Sequence, residues 1–272
     1  MRKNIYKKTL IDHLYNFILR ANNSQQSDKY WRDFFNKKLE IYQNNHTTDL
    51  DNPSEIQYYS KLFLLIKKHL NITSFKNLKI LELGSGTGIL SLLMAKEGAE
   101  VYLVDSSKTA IRYSGILMRT MKNQGDFSGK VRIIQGDLLK INLPHNYFDI
   151  VHNYGVIEHY SDTIIERIIS IMKLHAKKNG RIIIAIPNYF SPDTISIWYR
   201  YGKSNERYIS TSKMVRFLQQ VDLSNITCIT STTAFPDFIP INFKNKIQIL
   251  ENFLGIYLHL GFLYVAFGQK SF

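Results

Sequence analysis

A single cysteine, Cys228, is all that 272 residues supply. This excludes an internal disulfide and any cysteine-based zinc site, and it fits a reducing compartment, so a cytoplasmic protein is expected. Cys228 lies in an apolar, strand-like run and reads as buried packing. The most apolar segment, 253–267, is too short to span a bilayer and contains His259, so no transmembrane segment is expected. The start of the chain leads into an amphipathic pattern (Leu10, Ile11, Leu14, Phe17, Ile18) and lacks the unbroken apolar stretch and cleavage site of a signal peptide. No internal repeat or low-complexity tract is present. The net charge is +13, but the basic residues are dispersed: Arg2, Lys3, Lys7 and Lys8; Lys61, Lys67 and Lys68; Lys173, Lys177 and Lys178. No run has the density of a nucleic-acid-binding arm.

What is present is an ordinary globular composition, 44% hydrophobic and 21% charged, in a chain long enough to bury a core unaided. Residues 1–75 carry apolar side chains at helical spacing and many aromatics, and read as an N-terminal helical cap. From 76 to 272 runs a second unit, with a lid-like insertion at about 188–210. Short β-branched runs at 78–83, 100–104, 131–135, 148–152 and 181–186 each close on a polar or glycine residue, as strands buried on both faces of a parallel sheet do. Helical patterns fill the gaps at 88–97, 107–123 (Ile111, Ser114, Met118 and Met121 on one side) and 163–177. For the last of these, Thr163 and Glu166 suit a capping box, Lys177 and Lys178 suit the final turn, and Gly180 suits a left-handed stop. The alternation implies an α/β, doubly wound, Rossmann-like sheet with ligands at the carboxyl ends of its strands.

Those ends carry the chemistry. The first strand closes with Glu82-Leu83-Gly84-Ser85-Gly86-Thr87-Gly88. Three alternate glycines let the backbone turn sharply and approach a ligand, and the following helix points its amides there. The nicotinamide fingerprint places its third glycine where Ile89 stands, not at Gly88. Glu82 beside the turn would repel a pyrophosphate and welcome an ammonium. The second strand ends in Asp105, which suits two ribose hydroxyls or the cap of the next helix, with Ser106 and Ser107 as competitors for that cap. The third ends in Gly136-Asp137-Leu138, where a carboxylate can accept from an exocyclic amine beside an apolar cover; a plain turn aspartate is the rival.

These motifs, with Phe148-Asp149-Ile150-Val151 and Asn153-Tyr154-Gly155-Val156-Ile157-Glu158-His159, resemble the class I S-adenosylmethionine-dependent methyltransferases, in their small-molecule branch. The likeness is strong over about 75–187 and loose elsewhere. It implies a seven-stranded, mostly parallel sheet, with 227–232 and 262–267 as the last strands, the final one antiparallel, and a helix at 212–221 before them. It implies S-adenosylmethionine as cofactor and S-adenosylhomocysteine as product. Glu82 and the turn Gly84, Ser85, Gly86 and Gly88 would hold the methionine part. Asp105, with Ser106 beside it, would take the ribose, Asp137 and Leu138 would meet the adenine, and Asn153 would lie near the transferable methyl.

Methyl transfer from a sulfonium needs chiefly alignment and desolvation of the acceptor, and a base only if the acceptor must lose a proton. His159 is the foremost base candidate, followed by Glu158; His152, inside a strand, reads as packing. The acceptor pocket is expected from the aromatic segments outside the sheet. These are Tyr30, Trp31, Phe34, Phe35, Tyr58 and Tyr59 before it, and Tyr189, Phe190, Trp198, Tyr199, Tyr201 and Tyr208 after Pro187-Asn188. Tyr30, Trp31, Tyr154, Tyr189 and Tyr199 are the candidate acceptor contacts, most of the other aromatics being ordinary packing. No metal is expected. A small hydrophobic or aromatic acceptor is the first expectation and a nucleic-acid base or a protein the alternative. Against nucleic acid, the fourth strand lacks an Asn-Pro-Pro-Tyr ending and no RNA-binding module is evident. A non-catalytic cofactor-binding protein is a further alternative, and the chain is expected to be a monomer or homodimer. The apolar stretch Ile247, Leu250, Phe253, Leu254, Tyr257 and Leu258 is expected to pack beside the last strand rather than lie on a membrane.

Overall fold

The structure, a computed structural model, describes residues 24–201, 206–231, 249, 250, 253 and 259–271. The expected N-terminal amphipathic stretch with Arg2, Lys3, Lys7 and Lys8 lies outside these residues. So do Thr232, Ile247, Leu254, Tyr257 and Leu258 and the side chains of Tyr30, Trp198 and Tyr201. Leu250 and Phe253 are each 48% exposed. Among the described residues no helix is long and apolar enough to cross a membrane.

Among the described residues two helices come first, α1 (Ser24–Asn45) and α2 (Pro53–His69), joined through a 3-10 turn (Asp49–Asp51). Then follow β1 (Lys79–Leu83), α3 (Ile89–Lys96), β2 (Glu100–Asp105), α4 (Lys108–Asn123), β3 (Lys130–Gln135) and β4 (Phe148–Tyr154). A second 3-10 turn (Ile157–His159) leads to α5 (Asp162–His175), β5 (Ala176–Pro187), α6 (Pro192–Tyr201), α7 (Thr211–Gln220), β6 (Leu223–Thr230) and β7 (Leu263–Lys270). The seven strands are ordered β3-β2-β1-β4-β5-β7-β6. All neighbours are parallel except β7, which is antiparallel to β5 and β6. This is the doubly wound, mostly parallel sheet that the alternation implies. Its order reverses between β1 and β4, which opens a crevice at their carboxyl ends.

Burial follows the order. Ile80, Leu81, Leu83, Val101, Leu103 and Val104 are fully buried in β1 and β2. The edge strand β3 alternates exposed and half-buried residues, so only one of its faces is covered. One apolar core lies on the side of α1 to α4 and includes Phe34, Phe35, Leu92, Tyr113 and Leu117. The other, with Ile165, Ile168, Met172 and Phe217, lies under α5 and α7. The helix pair α1–α2 is tied to α4 by more than apolar contact. Lys38 Nζ donates to both Asp49 carboxylate oxygens at 2.6 and 2.7 Å, with both side chains buried. The Asp49 amide donates to Tyr113 Oη at 3.1 Å, and Phe35 packs on the Tyr113 ring.

Local signals set most helix starts. Ser107 caps α4 by accepting from the Ala110 amide, Ser210 caps α7, and Asn52 with Pro53 opens α2. The buried side of α4 runs through Ala110, Tyr113, Ser114, Leu117 and Met121, with Ile111 and Met118 only half-buried at its margin.

The expected ends of α5 are corrected. Ser161 stands at its N-cap without a side-chain bond, and Thr163 is inside the helix, so the Thr163–Glu166 capping box does not form. The helix stops at His175, and Lys177 lies in β5, where its ammonium meets Asp149 at 2.7 Å. The left-handed residue there is Asn179, with φ 62°, rather than Gly180. Pairing of Ala176 with Phe148 draws the chain into the sheet before the apolar helical pattern would end.

Candidate active site

The turn after β1 needs its glycines. Gly84 and Gly88 have φ of 73° and 69°, a region L side chains rarely adopt. A Cβ on Gly84 would fall 2.7 Å from Val156, and one on Gly88 2.7 Å from Leu103. The first contact also shows how the halves of the crevice meet, because Val156 belongs to the turn after β4. The Gly86 amide donates to Asp105 Oδ2 and the Ser107 amide to Oδ1, each at 2.8 Å. Asp105 thus ties the glycine turn to the start of α4, and the helix cap is Ser107. Ser106, next in sequence, is exposed.

Glu82, one residue before the end of β1, is 3% exposed. Burial pushes its carboxyl up to about 8, the neighbouring Asp105 charge adds to this, and a hydrogen bond from Ser91 opposes it. Among the described residues, Glu82 Oε2 and Ser85 Oγ have no hydrogen-bond partner. Two orphaned buried polar atoms at a turn with open backbone geometry fit a ligand that brings an ammonium and a carboxylate. Asp137 accepts from the Leu139 amide at 2.9 Å and faces Lys140 at 3.7 Å at the exposed end of β3, while Leu138 is buried. Both lie on the same sheet edge as Asp105, and the Gly136 amide donates to Asp105 O.

The other wall follows β4, which runs two residues beyond the expected 148–152 and takes in Asn153 and Tyr154. Asn153 is 1% exposed, its Nδ2 meets Met172 Sδ at 3.4 Å, and its Oδ1 has no partner among the described residues. Tyr154 pairs with Tyr58 through a short hydroxyl–hydroxyl contact, and its ring packs on Tyr58 and Tyr59. Desolvation holds all three phenols well above their ordinary range, so they stay neutral.

Glu158 is 2% exposed, with Oε2 unpartnered among the described residues. Burial, reinforced by the Glu206 charge, holds its carboxyl well above the usual range. Burial lowers the His159 imidazole to about 4, and the Trp31 ring meets it edge-on at 6.5 Å. Ligand atoms of Glu158, His159 and Glu206 lie within 4.8 Å of one another, a set able to share a proton or a cation. Glu206 carries no sequence signal of its own, because it reaches this cluster from within the lid-like stretch, far along the chain from Glu158. Its backbone carbonyl accepts from Tyr189 Oη at 2.5 Å, which ties Tyr189 to the same corner. Tyr199 is a correction. It is 93% exposed and, with Ile195 at 52%, lies on the outward side of α6, so it faces solvent rather than the crevice. The described part of Tyr30 is backbone only.

Sheet order, an antiparallel seventh strand and a glycine turn at the switch point define the class I S-adenosylmethionine-dependent methyltransferase fold. A methyltransferase domain family model matches residues 74–227, more than half the chain, and the protein belongs to that family. Ubiquinone biosynthesis O-methyltransferase of Pelagibacter ubique (strain HTCC1062) is 27% identical over 187 residues, 64% of this chain and 73% of that protein. Protein arginine N-methyltransferase 1 of Chlamydomonas reinhardtii is 37% identical over 82 residues, 30% of this chain and 22% of that protein. Magnesium protoporphyrin IX methyltransferase from Synechocystis PCC 6803, solved with bound SAH, superposes with a TM-score of 0.55 at 16% identity, covering 90% of this chain and 99% of that one.

Proposed function

We propose that this S-adenosylmethionine-dependent methyltransferase acts on a small hydrophobic or aromatic acceptor, in the cytoplasm, beneath a cap that includes α1 and α2 and a lid that includes α6. The observation that carries the acceptor class is the aromatic lining at and after the end of β4. Trp31 stands edge-on to His159, and Tyr58, Tyr59 and Tyr154 pack on one another as half-buried rings. Such a surface offers apolar area and few charges, which suits a flat organic molecule better than a phosphate backbone.

When bound, S-adenosylmethionine supplies a methyl group on an already activated sulfonium. In this reading Glu82 receives the ammonium of its methionine part, the amides and Ser85 of the glycine turn its carboxylate, Asp105 the ribose hydroxyls and Asp137 with Leu138 the adenine. Asn153 lies beside the reacting end. The chain's own contribution to the reaction is exclusion of water and alignment. His159, neutral because burial lowers it to about 4, accepts a proton from the acceptor at ordinary pH. Glu158, whose carboxyl burial holds well above the usual range, is the second candidate base beside it.

The net charge of +13 favours one second reading, an acidic macromolecular acceptor. The test is incubation with methyl-labelled S-adenosylmethionine and, in parallel, lipophilic phenols and acids, mixed tRNA, and a peptide mixture. Label in the organic extract supports the small-molecule reading, and label confined to tRNA or peptide refutes it.

A further inference from the structure

Glu82 has two carboxyl oxygens in different surroundings. Among the described residues Oε2 is unpartnered, and Ser91, on the first turn of α3, lies near enough to the carboxyl to favour its ionised form. The same Ser91 hydroxyl lies 2.8 Å from His152 Nε2, and Ser91 is fully buried with His152 2% exposed. In the parallel pairing of β1 and β4, Glu82 stands opposite His152. The three side chains therefore come from β1, α3 and β4 and meet under the glycine turn.

We propose that Ser91 and His152 are positioning residues that fix Glu82 for the cofactor, with His152 Nε2–H donating to Ser91 Oγ and Ser91 donating to Glu82. The inference rests on the reading that Glu82 takes the methionine ammonium. Proton counting sets the direction of the chain. A serine hydroxyl has one hydrogen, so if it is given to the carboxylate, its oxygen must accept from the imidazole. Burial holds His152 at about 3, hence neutral with one ring N–H to give. One carboxylate oxygen is thereby occupied from behind and Oε2 remains for the ligand. Among the described residues the ionisable groups facing Glu82 are His152 from β4 and Asp105 from β2, and the Asp105 charge disfavours ionisation. Ser91, held in turn by His152, offsets that influence by favouring the charged form in a buried place.

Binding an ammonium to a carboxyl that is protonated in the free protein releases a proton. The test is calorimetric titration of the full chain with S-adenosylhomocysteine, between pH 6 and 9, in pairs of buffers with different ionisation enthalpies. The wild type is expected to release close to one proton at pH 6.5 and progressively fewer as the pH rises through about 8. Ser91→Ala and His152→Leu should weaken binding about tenfold at pH 7 and carry proton release to higher pH. His152→Gln, which keeps a donor near Nε2, should restore both. Glu82→Gln should abolish the release. Thermal melting of each variant separates misfolding from lost positioning, and the conservative Ser91→Ala and His152→Gln keep the test open if His152→Leu is unstable. A wild-type pH profile in folded Ser91→Ala, with release lost in Glu82→Gln, overturns the positioning role while leaving Glu82 as the ammonium partner. Undiminished proton release in Glu82→Gln overturns both.

Discussion

Replacing Glu82 by Gln is expected to stabilise the cofactor-free protein at alkaline pH while impairing its binding of cofactor. The carboxyl stands near 8 in the fold against an ordinary 4.5, chiefly because it is buried. At 1.36 kcal/mol per unit the difference amounts to about 5 kcal/mol, an upper figure since a folded protein relaxes around a buried charge. Between pH 4.5 and 8 the folded protein holds a proton that the unfolded chain has released. Stability from this group is thus fully present below 4.5 and lost as the pH rises through 8. Gln carries no such proton, so the gap between variant and wild type should open by up to about 1.4 kcal/mol per pH unit across that window. His152 and His159, lowered to about 3 and 4, act in the opposite sense and lose stability as the pH falls below their unfolded value. Both are present in either protein and cancel in the difference. Urea denaturation of the two proteins at pH 5, 6.5 and 8 measures the gap. A gap that stays constant across that range would refute the reasoning.

Three further outcomes are expected. Gly88→Ala places a Cβ at φ 69° and 2.7 Å from Leu103, so it should cost about 1–2 kcal/mol from the left-handed backbone alone, read from the urea midpoint. Asp49→Ala leaves the buried Lys38 ammonium without its carboxylate and should cost about 3–5 kcal/mol, with a matching fall in melting temperature. If His159 is the proton acceptor, His159→Gln should lower kcat by about a hundredfold or more with S-adenosylhomocysteine affinity unchanged. In the wild type the acid limb of kcat should then lie near pH 4 rather than 6.5.

The alternating core was legible because each strand is short, apolar and closed by a chemically marked residue. Glu82, Asp105 and Gly136 punctuate β1, β2 and β3 where a doubly wound sheet gathers its ligands. Less legible were features that depend on pairing across long separations. The end of α5 is decided by Ala176 meeting Phe148 and Lys177 meeting Asp149, neither of which helical periodicity registers. The Ser91–His152 contact is hidden for the same reason, because only the β1–β4 register brings His152 opposite Glu82. Glu206 escaped notice because it joins Glu158 and His159 by a loop path that no local pattern encodes. Tyr199 shows the converse, an aromatic in a promising stretch that its helix turns outward.

Calorimetric titration of the folded chain with S-adenosylmethionine, using NADH as the control, tests the central claim most directly. Micromolar-range binding of S-adenosylmethionine, none of NADH, and a sharp loss in Asp105→Ala are the predicted results. Binding of NADH, or an unchanged S-adenosylmethionine affinity in Asp105→Ala, would contradict the account.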